Sequence, residues 1–400
     1  MSGAVDPMRM KAAVAMDAMR KYAEDSNVAF FMGKDAPPIE RIPTGSFLLD
    51  WALCGGLARG RVYQYGGQPS SGKTSMALNV CARVAEAGGN ALWMAAEDFD
   101  WTYARSIGIP TDDSFVMMQT PDGDVLLDMV VSAVREGMWD VVVVDSVTAV
   151  RNMRYGVERD GTYEKSVGER DRGGQGAMLS EFFRRISSAM TGLTVATMRR
   201  TRILSEIASE ASRKKPSERR LEALRADVTG EARHPVIIVI NQVRQSGVGG
   251  GYQGLDSPGG WALKHHKAGD VLFMSKQLIW PGGKVEAAED ETAAGRIRPN
   301  VGLLAREMFV NVVKHKVGVP YRSGLIRLGQ TTADGYVMGR PSREFEVAAL
   351  GRRYGGVEQS GSWFSVGETR AQGEGAFCAK LAAHPDLRIA MEARIMELSA

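Results

Sequence analysis

The sequence has little that points to a secreted, metal-binding or membrane-spanning protein. Only three cysteines occur in 400 residues, Cys54, Cys81 and Cys378, and their spacing fits neither a metal site nor a disulfide framework. The neighbouring histidines His265 and His266 have no partner ligands close in sequence. No apolar run reaches the length of a membrane span, and no signal peptide is evident. We therefore expect a soluble, cytosolic chain with no membrane partner.

The chain also lacks a strong excess of charge of either sign. Fifty lysines and arginines stand against 47 aspartates and glutamates, a formal net charge of +3. This mild excess is compatible with nucleic-acid binding but does not indicate it, because a basic balance is usually solvated surface. Hydrophobic residues make up 44% of the chain, and no internal repeat is evident. The composition fits one large globular domain with appendages.

The most specific motif covers residues 67–74, GQPSSGKT, which match the phosphate-binding loop Gly-x-x-x-x-Gly-Lys-Ser/Thr. The alternating segment 61–65 predicts a strand before it, and the apolar spacing over 75–84 predicts a helix after it. Glycines let backbone N–H groups surround phosphate oxygens, and the helix N-terminus adds the positive end of its dipole. Lys73 would reach the β- and γ-phosphates, and the Thr74 hydroxyl would coordinate Mg²⁺. The motif predicts a nucleotide site.

Two acidic residues come directly after predicted buried strands. Glu97 follows the apolar segment 90–96, and Asp145 closes the valine-rich segment 140–146. Side chains at the carboxyl ends of strands lie on the active edge of an open α/β sheet. Glu97 is therefore a candidate general base for activating water, although an acid at a helix N-terminus would be favoured without the phosphate-binding loop. Asp145 fits the Walker B acid that holds Mg²⁺.

A further strand is predicted over 235–240 and ends at Asn241 and Gln242, whose amides suit a sensor of the γ-phosphate. Two long polar, glycine-bearing segments, 150–177 and 243–260, are predicted as functional loops. The many glycines of the second loop would keep it mobile until a partner orders it.

Three other segments have distinct patterns. Residues 6–24 predict an amphipathic helix and 28–32 a short apolar strand, which either pack on the chain's own core or dock on a neighbouring subunit. A helix is predicted over 177–190, and the basic stretch 191–233, with Pro216 in its middle, predicts a protruding helical hairpin. The late strand 310–317 carries Lys314 and Lys316 on one face, because they are two residues apart.

With these motifs in place, the chain resembles the RecA-type recombinases of bacteria and phages. The resemblance extends over nearly the whole chain except 191–233 and part of 280–306. The matching stretches, all in the expected order, are 44–46, 70–74, 103–105, 143–146, 240–242, 259–264, 313–320 and 361–364. Departures from the family pattern, such as Gln68-Pro69 in the phosphate-binding loop and a C-terminus without an acidic tail, indicate a divergent member.

The resemblance implies a fold and a domain order. The expected fold is α/β, with a RecA-like ATPase core around a mainly parallel sheet, an N-terminal helix and strand for polymerisation, and a small C-terminal α/β domain. The corresponding boundaries are 1–34, 35–335 with the hairpin inserted at about 191–233, and 336–400. The small C-terminal module would end in a helix over 387–398.

The resemblance also implies residue roles. Glu97 corresponds to the catalytic glutamate, Tyr103 to the tyrosine that stacks on adenine, and Gln242 to the γ-phosphate sensor. Lys314 and Lys316 match lysines that reach the ATP of the adjacent protomer. The residues expected to take part in hydrolysis are Lys73, Glu97, Gln242, Lys314 and Lys316. The residues expected to bind ATP are Gly67, Gln68, Pro69, Ser70, Ser71, Gly72, Lys73, Thr74, Ser75, Asp100 and Tyr103, with Thr74 and Asp145 holding Mg²⁺.

Residues 156–176 and 243–260 match the two DNA-binding loops of the family. The residues expected to contact DNA are Arg170, Arg172, Gly173, Gly174, Gln175, Gly176, Arg244, Gly250, Gly251, Tyr252, Gly259 and Gly260. The implied function is an ATP-dependent recombinase that forms homo-oligomeric helical filaments on single-stranded DNA and pairs it with homologous duplex DNA. A hexameric RecA-fold motor or helicase and a DNA-dependent ATPase that regulates another recombinase are the alternatives. For the hairpin 191–233, contact with the duplex and a merely solvated surface both remain open.

Overall fold

The computed structural model describes residues 7–26, 28–31, 38–96, 98–146, 174–228, 230–245, 255–256, 260–287 and 302–399. The helices are α1 (Pro7–Asp25), α2 (Phe47–Ala52), α3 (Lys73–Glu86), α4 (Trp101–Ile107), α5 (Gly123–Glu136), α6 (Gly174–Ala211), α7 (Glu218–Ala226), α8 (Gly260–His266), α9 (Arg343–Arg353), α10 (Glu374–Ala383) and α11 (Pro385–Leu398). The strands are β1 (Arg41–Ile42), β2 (Leu57–Ala58), β3 (Val62–Gly67), β4 (Ala91–Ala95), β5 (Phe115–Gln119), β6 (Val141–Asp145), β7 (Val236–Gln242), β8 (Arg244–Gln245), β9 (Leu255–Asp256), β10 (Gly269–Ile279), β11 (Val285–Ala287), β12 (Ala305–His315), β13 (Ser323–Gly329), β14 (Glu358–Ser360), β15 (Trp363–Val366) and β16 (Thr369–Gln372).

A mainly parallel sheet organises the molecule. Within the described ranges its order is β13-β12-β10-β3-β7-β6-β4-β5, with β11 beside β10. The six strands β10, β3, β7, β6, β4 and β5 are parallel, and β11, β12 and β13 are antiparallel additions on one side. This confirms the predicted α/β fold class with a mainly parallel central sheet.

The two ends of the parallel strands define two edges of this sheet. We call the side where the strands end, at Gly67, Ala95, Asp145 and Gln242, the carboxyl edge. The side where the same strands begin is the amino edge. In open parallel sheets, ligand sites gather outside the carboxyl ends of the strands.

The valines of β6 show why this strand is central. Val141 and Val143 pack into one hydrophobic cluster, which includes Met76 of α3, and Val142 and Val144 pack into the opposite one. All four valines are fully buried. Alternating side chains of a strand point to opposite faces, so a strand covered on both faces is apolar at every position. The predicted burial of this segment is confirmed.

The helix predicted over 177–190 is longer than predicted. It is the first half of α6, which continues to Ala211 and contains Thr191 in its middle. Phe182, Phe183 and Leu193 anchor its first half in the core. The change in composition near residue 191 therefore marks the point where the helix leaves the core, not where it ends. Pro216 lies in the turn before α7, as predicted.

The predicted apolar strand over 28–32 does not form in its described part, residues 28–31. These residues pair with none of the described strands, and Val28 and Phe31 are about half exposed (52% and 45%). A strand forms only where its backbone N–H and C=O groups can hydrogen-bond to a neighbouring strand. Helix α1 forms close to the predicted bounds, and Met8 and Met19 on it are exposed.

The last part of the chain packs on the core through buried polar groups. The Glu346 carboxyl group of α9 accepts hydrogen bonds from the Ser46 hydroxyl (2.7 Å) and from the Leu48 backbone N–H (3.2 Å) at the start of α2. Complete burial raises the pKa of Glu346 to about 8. Burial also raises the pKa of Asp50 in α2 to about 6. The division into three domains stays a prediction.

Candidate nucleotide site

Two positions in the loop between β3 and α3 leave no room for a residue larger than glycine. A Cβ atom at Gly67 would lie 2.3 Å from the Phe273 carbonyl oxygen, so no larger residue fits between β3 and β10. Gly72 has a φ of 92°, and a Cβ there would lie 2.7 Å from the Met308 sulfur. Because L-residues rarely adopt such a φ, glycine is required for the turn into α3. The phosphate-binding motif thus has the predicted strand–loop–helix context.

The Lys73 side chain lies inside the phosphate-binding loop. Its side chain is nearly buried (6% exposed), and its ammonium donates to the Gln68 carbonyl oxygen at 2.6 Å. The Ser71 hydroxyl oxygen is 3.4 Å from the same nitrogen. A buried ammonium surrounded by loop carbonyl and hydroxyl oxygens is held where phosphate oxygens would arrive, at the N-terminus of α3.

Thr74 and Asp145, the two residues predicted to hold Mg²⁺, lie within hydrogen-bond distance of each other. The Thr74 hydroxyl donates to the Asp145 carboxylate over 3.2 Å. One residue belongs to the first turn of α3 and the other ends β6, so the strand order of the sheet brings them together. Hydroxyl and carboxylate oxygens are the hard ligands that Mg²⁺ takes beside phosphates. The residues present therefore fit this ion.

Tyr103 is held against the start of α3. Its phenol shares a 2.5 Å hydrogen bond with the Ser75 hydroxyl. Asp100 caps α4, since its carboxylate accepts from the Tyr103 backbone N–H at 3.0 Å. Burial raises the pKa of Tyr103 above its ordinary value, which keeps the ring neutral. A neutral aromatic ring beside the phosphate-binding helix suits contact with a nucleotide base.

Gln242 is the last residue of β7 and pairs in register with Gly67. The backbone N–H of the following residue, Val243, donates to the Gly67 carbonyl oxygen at 3.1 Å. The predicted sensor therefore starts next to the first glycine of the phosphate-binding loop. Gln242 belongs to the strand itself, two residues beyond the predicted strand 235–240.

Arg306 is a functional candidate that the sequence reasoning missed. It lies near the start of β12, and its guanidinium donates to the Ser70 carbonyl oxygen in the phosphate-binding loop. The positive charge of Arg306 also acts on Tyr103, where it partly offsets the rise in pKa that burial causes. Arg306 and Ser70 are 236 positions apart in the chain. No local signal could have linked them, because only the β10–β12 pairing brings this end of β12 to the carboxyl edge.

Lys314 and Lys316 lie at the opposite edge from the phosphate-binding loop. Lys314 pairs in register with Asp270, which pairs with Gln64 near the start of β3. Their ammonium groups donate to carbonyl oxygens at the end of α8, Lys314 to Lys264 and Lys316 to His265 (2.6 Å). Partial burial, followed by the charge of Lys316, lowers the pKa of Lys314 below its ordinary value. The structure thus places both lysines together, as predicted, but away from their own nucleotide loop.

Several predicted residues fall outside the described part of the chain. These residues are Glu97, Arg170, Arg172, Gly173, Gly250, Gly251, Tyr252 and Gly259. Gly174, Gln175 and Gly176 belong to the first turn of α6, so the helix begins earlier than the predicted loop end. Arg244 lies in β8, which pairs with β9 inside the second predicted loop, and Gly260 begins α8.

Comparisons with known proteins agree with the motifs. A family model described as the RecA N-terminal domain matches residues 10–208. The chain is similar to Protein RecA of Methylococcus capsulatus, with 31% identity over 366 residues, 90% of this chain and 83% of the relative. Protein RecA of Nautilia profundicola is 28% identical over 96% of this chain and 90% of its own length. Protein RecA of Nitratidesulfovibrio vulgaris is 30% identical over 89% and 80%, respectively. Among the described helices, none has the length and apolar character to cross a membrane.

Proposed function

The chain belongs to the RecA family, and from this premise we propose that it is an ATP-dependent DNA recombinase. It assembles into a helical filament on single-stranded DNA and catalyses homologous pairing and strand exchange. ATP is hydrolysed at the interfaces between protomers, and DNA stimulates this hydrolysis. The observation that carries the proposal is the separation of two sets of basic residues between opposite edges of one sheet.

Within one protomer, the carboxyl edge would bind the nucleotide. The loop N–H groups and Lys73 bind the phosphates, and the Tyr103 ring faces the adenine. Thr74 and Asp145 would hold Mg²⁺, which when bound neutralises charge on the phosphates. Glu97 accepts the proton of the attacking water, as its position directly after β4 suggests. Gln242, next to Gly67 in register, contacts the γ-phosphate.

The amino edge would complete the site of a neighbouring protomer. Lys314 lies level with Gln64, three residues before the phosphate-binding loop begins, and about 10 Å from it along the strand direction. From Gly67 onwards, the phosphate-binding loop extends still further from Lys314. Lys314 and Lys316 therefore cannot supply charge to their own loop, whereas they can supply it to a loop that docks against this edge. Positive groups that meet the transferring phosphoryl group stabilise its developing charge.

An interface that joins one edge of a protomer to the other edge of the next is heterologous. Such an interface repeats into an open helix unless the rotation closes a ring. The two glycine-bearing loops leave from the ends of β6 and β7 at the carboxyl edge, beside the nucleotide. Single-stranded DNA held by these loops would order the interface and so stimulate hydrolysis.

The test mixes two inactive variants, Glu97→Gln and the double variant Lys314→Ala/Lys316→Ala. Each is expected to lack DNA-stimulated ATP hydrolysis alone. If the lysines act on the next protomer, random co-assembly leaves roughly one interface in four with both Glu97 and the lysine pair intact. If they act within one chain, no site in the mixture is complete. Recovered ATP hydrolysis on single-stranded DNA is therefore the expected result.

A labelled-subunit assay must show that the two variants co-assemble. With co-assembly demonstrated, a mixture that stays inactive would overturn the interface site. Electron microscopy of the wild-type protein with ATP and single-stranded DNA checks the assembly itself. Open filaments support the proposed recombinase, whereas closed rings would instead support a hexameric motor.

A further inference from the structure

The outer hairpin, residues 194–226, is a structure of this chain that the nucleotide site does not use. After Leu193, the buried side chains of α6 are only Ile203 and Glu210. The helix nevertheless continues for 18 residues beyond Leu193, about 27 Å at 1.5 Å per residue. Helix α7 then packs back on it. The hairpin therefore projects from the core.

The hairpin is internally fixed. Ile203 and Leu221 are nearly buried between the two helices (5% and 3% exposed). The buried Glu210 carboxylate accepts from the Ser217 backbone N–H at 3.1 Å and closes the turn. Ser217 in turn caps α7 through the Arg220 backbone N–H at 3.4 Å. The side chains on its surface are thus presented on a defined scaffold.

This scaffold is strongly basic. It has nine lysines and arginines against four glutamates, a net charge of +5, compared with +3 for all 400 residues. Glu210 pairs with Arg213 (3.1 Å) and Arg220 (3.7 Å), and Glu206 pairs with Arg202 (3.6 Å). Glu218 is explained by the first turn of α7, where an acid meets the helix dipole.

Several cations remain outside these pairs. Arg199, Lys214, Lys215 and Arg219 are exposed and form no ion pair with the described residues. They lie along both helices and the turn between them. A row of exposed cations on a fixed scaffold is complementary to the regular negative charge of a nucleic-acid backbone.

The composition of the hairpin also indicates that its nucleic-acid ligand is a duplex and not a single strand. Residues 194–226 contain no Phe, Tyr or Trp. Proteins that bind single strands without sequence preference use aromatic side chains on which the bases stack. A surface of cations without aromatic residues instead fits a duplex, whose bases are already stacked and whose phosphates face outwards.

The position of the hairpin separates it from the two loops of the proposed single-stranded DNA site. The Thr194 hydroxyl lies 3.2 Å from His234 Nε2, two residues before β7 begins. The hairpin therefore leaves from the amino edge, whereas the loops leave from the carboxyl edge. From the geometry and charge together, we infer that the outer hairpin binds the phosphate backbone of a second DNA molecule, a duplex, without reading its sequence. This inference rests on the proposed recombinase function.

The test compares two four-site variants of the full-length protein. The hairpin variant carries Arg199→Gln, Lys214→Gln, Lys215→Gln and Arg219→Gln. The matched control carries Arg135→Gln, Arg184→Gln, Lys284→Gln and Arg394→Gln, all at exposed positions outside the hairpin. Both lose four positive charges, so a general effect of net charge is the same in the two proteins.

The measurement is the affinity for a short labelled duplex between about 50 and 200 mM salt. Each lost phosphate contact should reduce the magnitude of the slope of log affinity against log salt by about 0.9. The slope of the hairpin variant should therefore be smaller in magnitude than that of the control variant by about 2 to 4. Its affinity at the lowest salt should fall at least about tenfold relative to the control variant. Equal slopes in the two variants would overturn the inference, and an acidic protein partner or plain solvation would then explain the charges.

The wild-type protein separates this inference from the proposed function. If single-stranded DNA stimulates wild-type ATP hydrolysis while the two variants bind the duplex equally, only the hairpin inference fails. If single-stranded DNA does not stimulate the wild-type protein, the proposed function itself fails. A hairpin variant that loses affinity for a single strand as strongly as for the duplex would also contradict the inference, because the duplex would not be its specific partner.

Discussion

Strand β12 has basic residues at both ends, and the comparison of the two ends explains how the proposed site is divided. Arg306, at its start, touches the phosphate-binding loop of its own chain. Lys314, eight residues later and about 27 Å along the strand, touches the end of α8 at the amino edge. One end therefore supports the phosphate-binding loop of its own protomer. Under the proposed function, the other end presents charge to the loop of a second protomer.

The difference lies in what each cation contacts before any ligand binds. Arg306 donates a hydrogen bond to the loop that would hold the phosphates, so we expect it to position that loop. Lys314 and Lys316 are bonded to backbone carbonyls that end a helix, where cations are favoured by the helix dipole. Under the proposed function, these hydrogen bonds hold the lysines in place until a phosphate of the neighbouring protomer's ATP competes for them. Variants at both ends of β12 test this division.

The largest effect is expected from Lys314→Ala/Lys316→Ala. Turnover of ATP on single-stranded DNA should fall by about 100-fold or more, because the positive groups that stabilise the transferring phosphoryl group are lost. Nucleotide binding by the isolated protomer should stay as in the wild type, since both lysines lie at the other edge. Steady-state hydrolysis and equilibrium binding of a fluorescent nucleotide measure the two quantities.

Lys73→Ala is the matched variant for this comparison. It removes a cation from the phosphate-binding loop and should abolish nucleotide binding already in the isolated protomer. If the double lysine variant also lost binding as an isolated protomer, the division between the two ends of β12 would be wrong.

A smaller effect is expected from Arg306→Gln. Loss of the charged donor to the Ser70 carbonyl oxygen should loosen the phosphate-binding loop and weaken nucleotide binding to the isolated protomer by up to about tenfold. Arg306→Lys should restore part of this affinity. Titration with a fluorescent nucleotide gives the dissociation constants.

Lys276→Gln serves as the control for Arg306→Gln. Lys276 is an exposed cation on β10, and its ammonium lies 5.8 Å from the centre of the Phe309 ring on the neighbouring strand β12. If general positive charge near the site were sufficient, the two variants would weaken binding equally. Only an effect specific to Arg306 supports its role in positioning the loop.

The smallest effect on turnover, and a clear effect on stability, is expected from Glu346→Gln. The pKa of Glu346 is raised by burial from an ordinary 4.5 to about 8, so the folded protein retains a proton that the unfolded chain loses. The free energy of unfolding contributed by this group should be highest below about pH 4.5. It should then fall by up to about 1.4 kcal/mol per pH unit until about pH 8.

Glu346→Gln removes this titration while keeping a similar shape. Denaturant unfolding at several pH values should therefore show a gap that grows in favour of the variant between about pH 5 and 8. ATP turnover of folded protein should be unchanged, because Glu346 contacts α2 and neither end of β12. Parallel stability curves for the two proteins would show that Glu346 is not the titrating group.

Much of the site could be predicted because its signals are local. The loop glycines, Lys73 and Thr74 are consecutive in the chain, and a strand before them and a helix after them complete the pattern. The valines of β6 predicted a strand buried on both faces. The apolar segment 28–32 forms no strand within the single chain in its described part, since an apolar pattern gives β propensity but does not supply a neighbouring strand to pair with.

The sequence by itself determined the phosphate-binding loop, the acid that ends β6, the apolar valine strand before that acid and the basic composition of the hairpin. These features depend on backbone conformation and side-chain periodicity over a few consecutive residues. Only the tertiary structure decided that Arg306 reaches Ser70, that Lys314 and Lys316 lie at the opposite edge, and that the hairpin continues α6 beyond the core. Such relations depend on strand pairing and packing between residues far apart in the chain, and no local pattern encodes which edge of the sheet a side chain will reach.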